Sequence, residues 1–297
     1  MRVFVTGASG FVGSAIVQEL LQNGHSVLGL ARSEDAAKAL AAAGASVHEG
    51  SLEDTDSLQR AVAVTDGVIH TAFIHDFSRH AAAGEVDRQA ITAMGEAMAG
   101  SGRPLIVTSA TAAVAPGKTG TELDAGKTEG AGSVRSFSEV LTRTFTEKGV
   151  RAMLIRLPPS VHGAGDHGFV PWLINIAREK GEAAYVEDGR NVWPAVHRSD
   201  AARLYRLALE KGLAGTTYHA VGEEGVPTRE IVEVIGRRLN LPVVSKAAAE
   251  AADHFGFLGH FFSLDVPSSG KLTREWLGWS PSGPGLIADL DSDAYFG

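Results

Sequence analysis

The chain contains no cysteine, so disulfide frameworks, thiolate metal sites and a cysteine nucleophile are all excluded. Long apolar runs are also missing. Nothing approaches the ~20 consecutive apolar residues of a membrane span. Met1-Arg2 leads straight into a short strand pattern, Val3-Phe4-Val5, rather than into a secretory leader. A cytoplasmic protein with no membrane partner is the expectation. There is no basic excess either. The formal charge is -8 and is spread along the chain, which argues against nucleic acid as a partner. Metal-ligand spacing is lacking as well. His70, His75 and His80 fall five apart, which scatters them around a helix, and no His-Glu-x-x-His occurs, so no metal is expected.

What is present is an alternation of short β-rich runs and helical patterns. Strands are expected at Val3–Thr6, Ser26–Leu30, Ser46–His48, Gly67–Thr71, Pro104–Thr108 and Ala152–Arg156. Between them, Val12, Ile16 and Leu20 recur at helical spacing, and further helices are expected at 54–62, 86–98 and 134–147. Ser33 suits an N-cap, with Glu34 and Asp35 in the acidic first turn that a helix favours. Such alternation implies right-handed βαβ units, a parallel sheet, and ligands at the carboxyl ends of its strands. The fold expected is α/β: a Rossmann-type doubly wound parallel sheet with a smaller C-terminal substrate lobe. Residues 1–157 would form the dinucleotide-binding core. Residues 158–297, broken by many Gly and Pro and with helices expected at 170–180, 201–211 and 228–239, would complete the sheet and form the lobe. The Gly- and Thr-rich segment Gly117–Gly132 suggests a loop over the cleft or a solvent-exposed excursion.

The strongest signal is Gly7-Ala8-Ser9-Gly10-Phe11-Val12-Gly13, directly after the first strand and opening the first helix. Gly7 suits the tight turn, Gly10 lets backbone approach a pyrophosphate, and Gly13 lets the helix pack against the sheet. The free N–H groups and positive dipole end of the helix would hold the phosphates. Arg32 follows the second strand with no acid before it. That suits the 2′-phosphate of NADP, with Ser33 adding a hydroxyl, whereas NAD usually meets an acid there. Glu34 and Asp35 count the other way, so NAD stays open. Leu52 after the third strand, and Thr71, Ala72 and Phe73 after the fourth, are placed to line the adenosine or to pack as core.

These residues resemble the short-chain dehydrogenase/reductase superfamily, in its extended, epimerase/dehydratase-like branch. The likeness runs through Ile69-His70-Thr71-Ala72, Val107-Thr108-Ser109-Ala110-Thr111, the Arg156–Gly163 segment, the Trp193–Ala202 segment ending in Asp200-Ala201-Ala202, and Leu277-Gly278-Trp279-Ser280-Pro281. It implies that Pro158 and Ser160 lie near the nicotinamide. It also implies a homodimer through the helices at 86–98 and 134–147. One departure stands out. The family's chemistry rests on Tyr-x-x-x-Lys in the helix after strand five, and here the best register places Arg135 and Glu139 at those positions. The four tyrosines, Tyr185, Tyr205, Tyr218 and Tyr295, all lie elsewhere. Arginine is a poor general acid but can polarise a carbonyl or clamp a carboxylate. Glu139 could accept from ribose hydroxyls, or the two could form an i,i+4 ion pair on an exposed face.

Candidates for the remaining chemistry are Ser109 and Thr111 at the end of strand five, and His162, with Asp166 to orient it. His167 and His75 are weaker choices, and His197 is expected to anchor the following helix. An aromatic cluster, Phe255, Phe257, Leu258, Phe261 and Phe262 with His254 and His260, would wall an apolar pocket or fill the lobe core. The function expected is NAD(P)-dependent hydride transfer to or from the carbonyl of a small molecule. The alternatives are an NADP-binding sensor without turnover and an epimerase or dehydratase.

Overall fold

The computed structural model describes residues 1–75, 79–114, 117–127, 129 and 133–296. The strands are β1 (Arg2–Thr6), β2 (Ser26–Ala31), β3 (Ser46–Glu49), β4 (Gly67–His70), β5 (Pro104–Ala110), β6 (Arg151–Leu157), β7 (Ser160–His162), β8 (Ala183–Val186), β9 (Val192–His197), β10 (Thr217–His219), β11 (Glu223–Pro227) and β12 (Val243–Lys246). The helices are α1 (Phe11–Gln22), α2 (Glu34–Ala42), α3 (Thr55–Ala63), α4 (His80–Ala97), α5 (Ser133–Glu147), α6 (Phe169–Lys180), α7 (Arg198–Lys211) and α8 (Thr228–Leu239). Four short ones follow: α9 (Ala251–Phe255), α10 (Leu258–Phe262), α11 (Lys271–Leu277) and α12 (Leu286–Leu290).

Seven strands form one sheet in the order β10-β6-β5-β4-β1-β2-β3, and every pair in it is parallel. Strand order reverses between β1 and β4, which makes that crevice the topological switch point. Alternation along β1 sorts side chains to two faces. Val3 and Val5 pack with Ile16 and Leu20 of α1 and with Leu204 and Tyr205 of α7. Phe4 packs on the other side with Leu58 of α3, Ile91 and Met94 of α4 and Phe145 of α5. Both faces are covered, so the strands are apolar throughout, as parallel sheets require. A third cluster joins α6, α8, β8 and β9 to the short helices α9, α10 and α12, and forms the core of a smaller lobe. Its strands form a β11-β9-β7 sheet and a β12-β8 pair.

Local signals account for several boundaries. Ser33 caps α2, its Oγ accepting from Ala36 N at 3.3 Å, and Asp54 caps α3 through Ser57 N at 2.9 Å. His197 starts α7, its Nδ1 accepting from Ser199 N. The Trp279 indole is buried and donates to the Asp200 carbonyl at 3.0 Å, while the Asp200 carboxylate accepts from Ser282 N and Gly283 N. The Asp200 and Trp279 motifs therefore tie the last segment to α7. Helix α4 begins at His80, six residues before the expected start at 86. Of the Gly117–Gly132 segment, Thr128 and Gly130–Gly132 lie outside the described residues. The part before them is anchored. Lys118 Nζ donates to Asp124, Gly120 N donates to Pro267 O at 2.8 Å, and Ser269 N donates to Gly120 O at 2.8 Å.

The first helix sits against the sheet as closely as backbone permits. A Cβ on Gly13 would lie 2.0 Å from Gly7 O. Gly7 has φ +67°, and a Cβ there would meet Thr71 Oγ1 at 2.7 Å. Gly13→Ala must push α1 off the turn. A loss of about 1–3 kcal/mol in unfolding free energy is expected, the usual cost of overpacking. Urea titration checks it, and a midpoint unchanged from wild type would contradict the close approach.

Candidate active site

Because all seven strands run the same way, their carboxyl ends share one edge. A cleft of about 1060 Å³ opens there, between the sheet and the smaller lobe. Of the residues expected at a cofactor, Gly7, Ser9, Gly10, Phe11, Val12, Gly13, Arg32, Leu52, Thr71, Ala72, Phe73 and Pro158 line it. Ser33, Glu139 and Ser160 do not. Ser33 caps α2, and Ser160 is buried in β7. Of the catalytic candidates, Ser109 and Arg135 line the cleft and Thr111 and His162 do not. Thr111 is buried at 1% exposure beyond the end of β5.

The glycine turn presents bare backbone. Gly10 N donates to Gly7 O at 2.9 Å and Gly10 serves as N-cap with no side-chain bond. The first N–H groups of α1, which have no partner within a helix, therefore belong to residues on the cleft wall. The cradle at Gly7 and Gly13 has room for main chain but not for a Cβ. This arrangement fits a dinucleotide pyrophosphate.

A buried polar chain runs from this turn to Arg135. Thr6 Oγ1 accepts from Ala72 N at 3.3 Å and lies 2.7 Å from His70 Nδ1. His70 Nε2 lies 3.1 Å from Asp87 Oδ1, and Ser138 Oγ donates to Asp87 Oδ2 at 2.6 Å. Arg135 Nη1 stands 3.5 Å from Asp87 Oδ1, and its guanidinium stacks on the Phe73 ring at 4.1 Å. Burial raises the Asp87 pKa, but the His70 hydrogen bond and the Arg135 charge outweigh it, so the carboxyl sits below its ordinary value. Arg135 thus stands at the cleft wall with its charge held between Asp87 and the Phe73 ring. The Oγ of Ser109, on the same wall, is buried with no protein partner among the described residues.

The Arg135–Glu139 ion pair, one of the two alternatives for these residues, does not form. Glu139 points inward, 2% exposed, and both its oxygens bind Arg156, at 2.8 Å to Nε and 2.6 Å to Nη2. Arg156 is fully buried and also donates to Asp124 O at 2.9 Å. Its Nη1 lies 3.3 Å from His219 Nε2, while His219 Nδ1 meets Ser269 O at 2.9 Å. Burial and the Arg156 charge hold His219 near pKa about 4. A carboxylate so engaged is not available to ribose hydroxyls.

His162 is likewise engaged elsewhere. Its Nδ1 bonds Asp289 Oδ2 of α12 at 2.8 Å, and burial keeps its pKa below the ordinary value despite that carboxylate. Asp166 does not orient it. Asp166 lines the cleft, accepts from Gly168 N and Tyr295 OH, and has its pKa raised by burial. His75 also lines the cleft, with its pKa lowered by burial and by the Arg135 charge. The aromatic cluster divides. Phe255, Leu258 and Phe262 fill the lobe core, while Phe261 and His260 reach the cleft. Sequence reasoning missed Lys127, Glu129, Trp172 and Trp193 on the cleft wall. Trp172 recurs with Leu173 and Ile176 on an apolar helix, and nothing local marks it as facing a ligand.

A glycine turn at the switch point of a parallel sheet, with a second lobe closing the crevice, defines a protein of the extended short-chain dehydrogenase/reductase type. The chain belongs to the NAD dependent epimerase/dehydratase family, whose model matches residues 3–221. An uncharacterised Schizosaccharomyces pombe protein is 54% identical over the whole of both chains. A 4-hydroxy-2-methyl-3-oxo-4-farnesyl-3,4-dihydroquinoline-1-oxide ketoreductase of Stigmatella aurantiaca is 29% identical over 86% of this chain and 80% of its own. Among solved structures, the dTDP-glucose 4,6-dehydratase of Streptomyces venezuelae superposes with TM-score 0.80 at 21% identity, covering 100% of this chain and 97% of that one. That likeness confirms the fold.

Glu139→Ala would leave the Arg156 charge buried and uncompensated. Unfolding free energy is expected to fall by about 3–5 kcal/mol, measured by urea titration at neutral pH. A change below about 1 kcal/mol, the range of exposed pairs, would show that Arg156 is solvated.

Proposed function

We propose that the chain is an NADP-dependent carbonyl reductase in which Arg135 and the Ser109 hydroxyl hold the substrate oxygen. The observation that carries this reading is their shared position. Both line the cleft that begins at the glycine turn; the Ser109 hydroxyl has no protein partner among the described residues, and Arg135 meets Asp87 only at 3.5 Å and keeps 17% of its side chain exposed. A buried hydroxyl without a partner costs about 1–3 kcal/mol, so a ligand oxygen there is favoured.

The residues divide the work. The backbone from Gly7 to Gly13 would hold the pyrophosphate, and Arg32 would meet the 2′-phosphate. The dinucleotide supplies the hydride when bound. Arg135 is permanently charged, and the Asp87–His70 chain fixes its position. It stabilises the negative charge that grows on the carbonyl oxygen. The proton that completes the alcohol passes from solvent through the Ser109 hydroxyl. The ketoreductase relative supports reduction as the reaction class. Epimerase or dehydratase chemistry needs a group on α5 that exchanges protons, and α5 carries neither tyrosine nor lysine. The absence of both makes this an atypical member of its family.

Two outcomes test the reading. Arg135→Gln should lower kcat/KM for NADPH-dependent carbonyl reduction by about 10²–10³, the cost of losing one oxyanion donor, with NADPH affinity unchanged. The 340 nm NADPH absorbance across a carbonyl panel provides the rate. Tight NADPH binding with no turnover on any member would favour a dinucleotide sensor instead. Arg32→Ala should weaken NADPH at least about tenfold more than NADH, since it removes a charge-assisted bidentate pair. Equal losses by calorimetry would remove the NADP assignment.

A further inference from the structure

The far end of the cleft is built mostly from the smaller lobe. Phe169 and Trp172 of α6, Trp193 of β9, Phe261 of α10, and Leu264 and Val266 form its wall. The rings are arranged as a box. Phe169 and Phe261 lie stacked, with centroids 5.9 Å apart and planes 23° apart. Trp193 tilts against Phe169 at 5.6 Å. At the mouth, Trp172 remains 42% exposed, its ring edge-on to Phe257 at 4.5 Å. An indole left so open at a cleft rim is an apolar surface that a ligand can cover.

Charge in this chamber is sparse and of the wrong sign for phosphate. From residue 158 onward, the described ionisable residues on the cleft wall are Asp166, His167 and His260, with neither lysine nor arginine among them. A nucleoside diphosphate needs cations for its two phosphates, usually arginine in bidentate contact. The cleft's cations lie in the first half of the chain, and one of them, Arg135, stands beside the Asp87 carboxylate. Asp166, at the lobe's edge of the cleft, opposes an anion further. One polar donor does remain in the box. The Trp193 indole N–H is buried, in a residue 1% exposed, and has no protein acceptor among the described residues.

We infer that this chamber takes the flat, uncharged, aromatic or conjugated body of a carbonyl substrate, stacked among Phe169, Trp172, Trp193 and Phe261, and that it does not take a nucleoside diphosphate sugar. The assignment rests on the carbonyl-reductase reading, and it names the substrate class for that site. Stacking and burial on such rings contribute through area and geometry, so each ring removed has a measurable share.

The test is calorimetric binding to the NADP⁺-saturated protein, with NADPH consumption followed in parallel. Three probes separate the classes: 2-acetylnaphthalene, methylglyoxal and UDP-glucose. The flat aromatic ketone is expected to bind at least about tenfold more tightly than either other probe. Trp172→Ala, at an exposed position that leaves the lobe core intact, should weaken it about tenfold with NADP⁺ affinity unchanged, and Phe261→Ala should do the same. These factors correspond to about 1.4 kcal/mol per ring. UDP-glucose or methylglyoxal binding as tightly as the naphthyl ketone overturns the inference. So does failure of the ketone to bind, or indifference to both substitutions. Turnover of methylglyoxal alone would sink the chamber assignment and keep the reductase. Tight ketone binding without NADPH consumption would sink the reductase and keep the chamber.

Discussion

Everything at this site depends on how closely one helix approaches one strand. Gly13 can carry no Cβ because Gly7 O already occupies that space, and Gly7 can carry none because Thr71 and Ala72 do. The contact locks α1 over the crevice between β1 and β4, where strand order reverses. It also fixes what lies beside it. Thr6, the last residue of β1, uses its hydroxyl to bridge the Ala72 N–H and the His70 ring. From there the hydrogen bonds lead through Asp87 to Arg135. The backbone that cradles phosphate and the cation on the facing wall are therefore parts of one rigid polar chain.

Two buried ionic centres show how α5 divides its work. Arg135 and Glu139 are one helical turn apart, so they share a face, and the simplest expectation pairs them with each other. That face is the buried one. Across it lie α4, which offers the Asp87 carboxylate, and β6, which offers the Arg156 guanidinium. Each residue meets an opposite charge in a drier place than its own neighbour could provide, where Coulomb attraction is stronger. The outcomes differ in kind. Glu139 and Arg156 consume each other, and with Asp124 O and His219 they pin the segment after β5 to the sheet. Arg135 meets Asp87 only at 3.5 Å and keeps 17% of its side chain exposed, so its charge faces the cleft.

What the sequence made legible was local. The glycine spacing, the Ser33 cap and the two-sided apolar strands are short-range patterns with one physical solution each. The early start of α4 was not legible, since His80-Ala81-Ala82-Ala83-Gly84 has no apolar period to announce a helix. Nor were pairings set by the fold. His162 meets Asp289 from 127 residues away, and that contact, rather than the neighbouring Asp166, decides its tautomer and removes it from the candidates for proton transfer. The cleft wall from the smaller lobe was half visible. An aromatic cluster was evident near residue 260, but which of its rings face inward depends on how α9 and α10 pack. Trp193, which the sequence marks only as part of the family-like segment, is carried to the cleft by β9.

On the proposed reading, a fixed charge stands where the family has an exchangeable proton donor, and that has a chemical consequence. A tyrosine activated by lysine can give a proton to a substrate oxygen or take one from it. A guanidinium cannot give up its proton near neutral pH. It can only stabilise charge that appears on a substrate oxygen, and it does so best where water is scarce. On the proposed reading, the apolar rings lining the same cleft supply that scarcity, and they disfavour a sugar, because each sugar hydroxyl buried there would lose its water without gaining a partner. A permanent cation and a group of apolar rings lining one cleft are thus compatible on the proposed reading, in which they favour a flat ketone over a polar sugar.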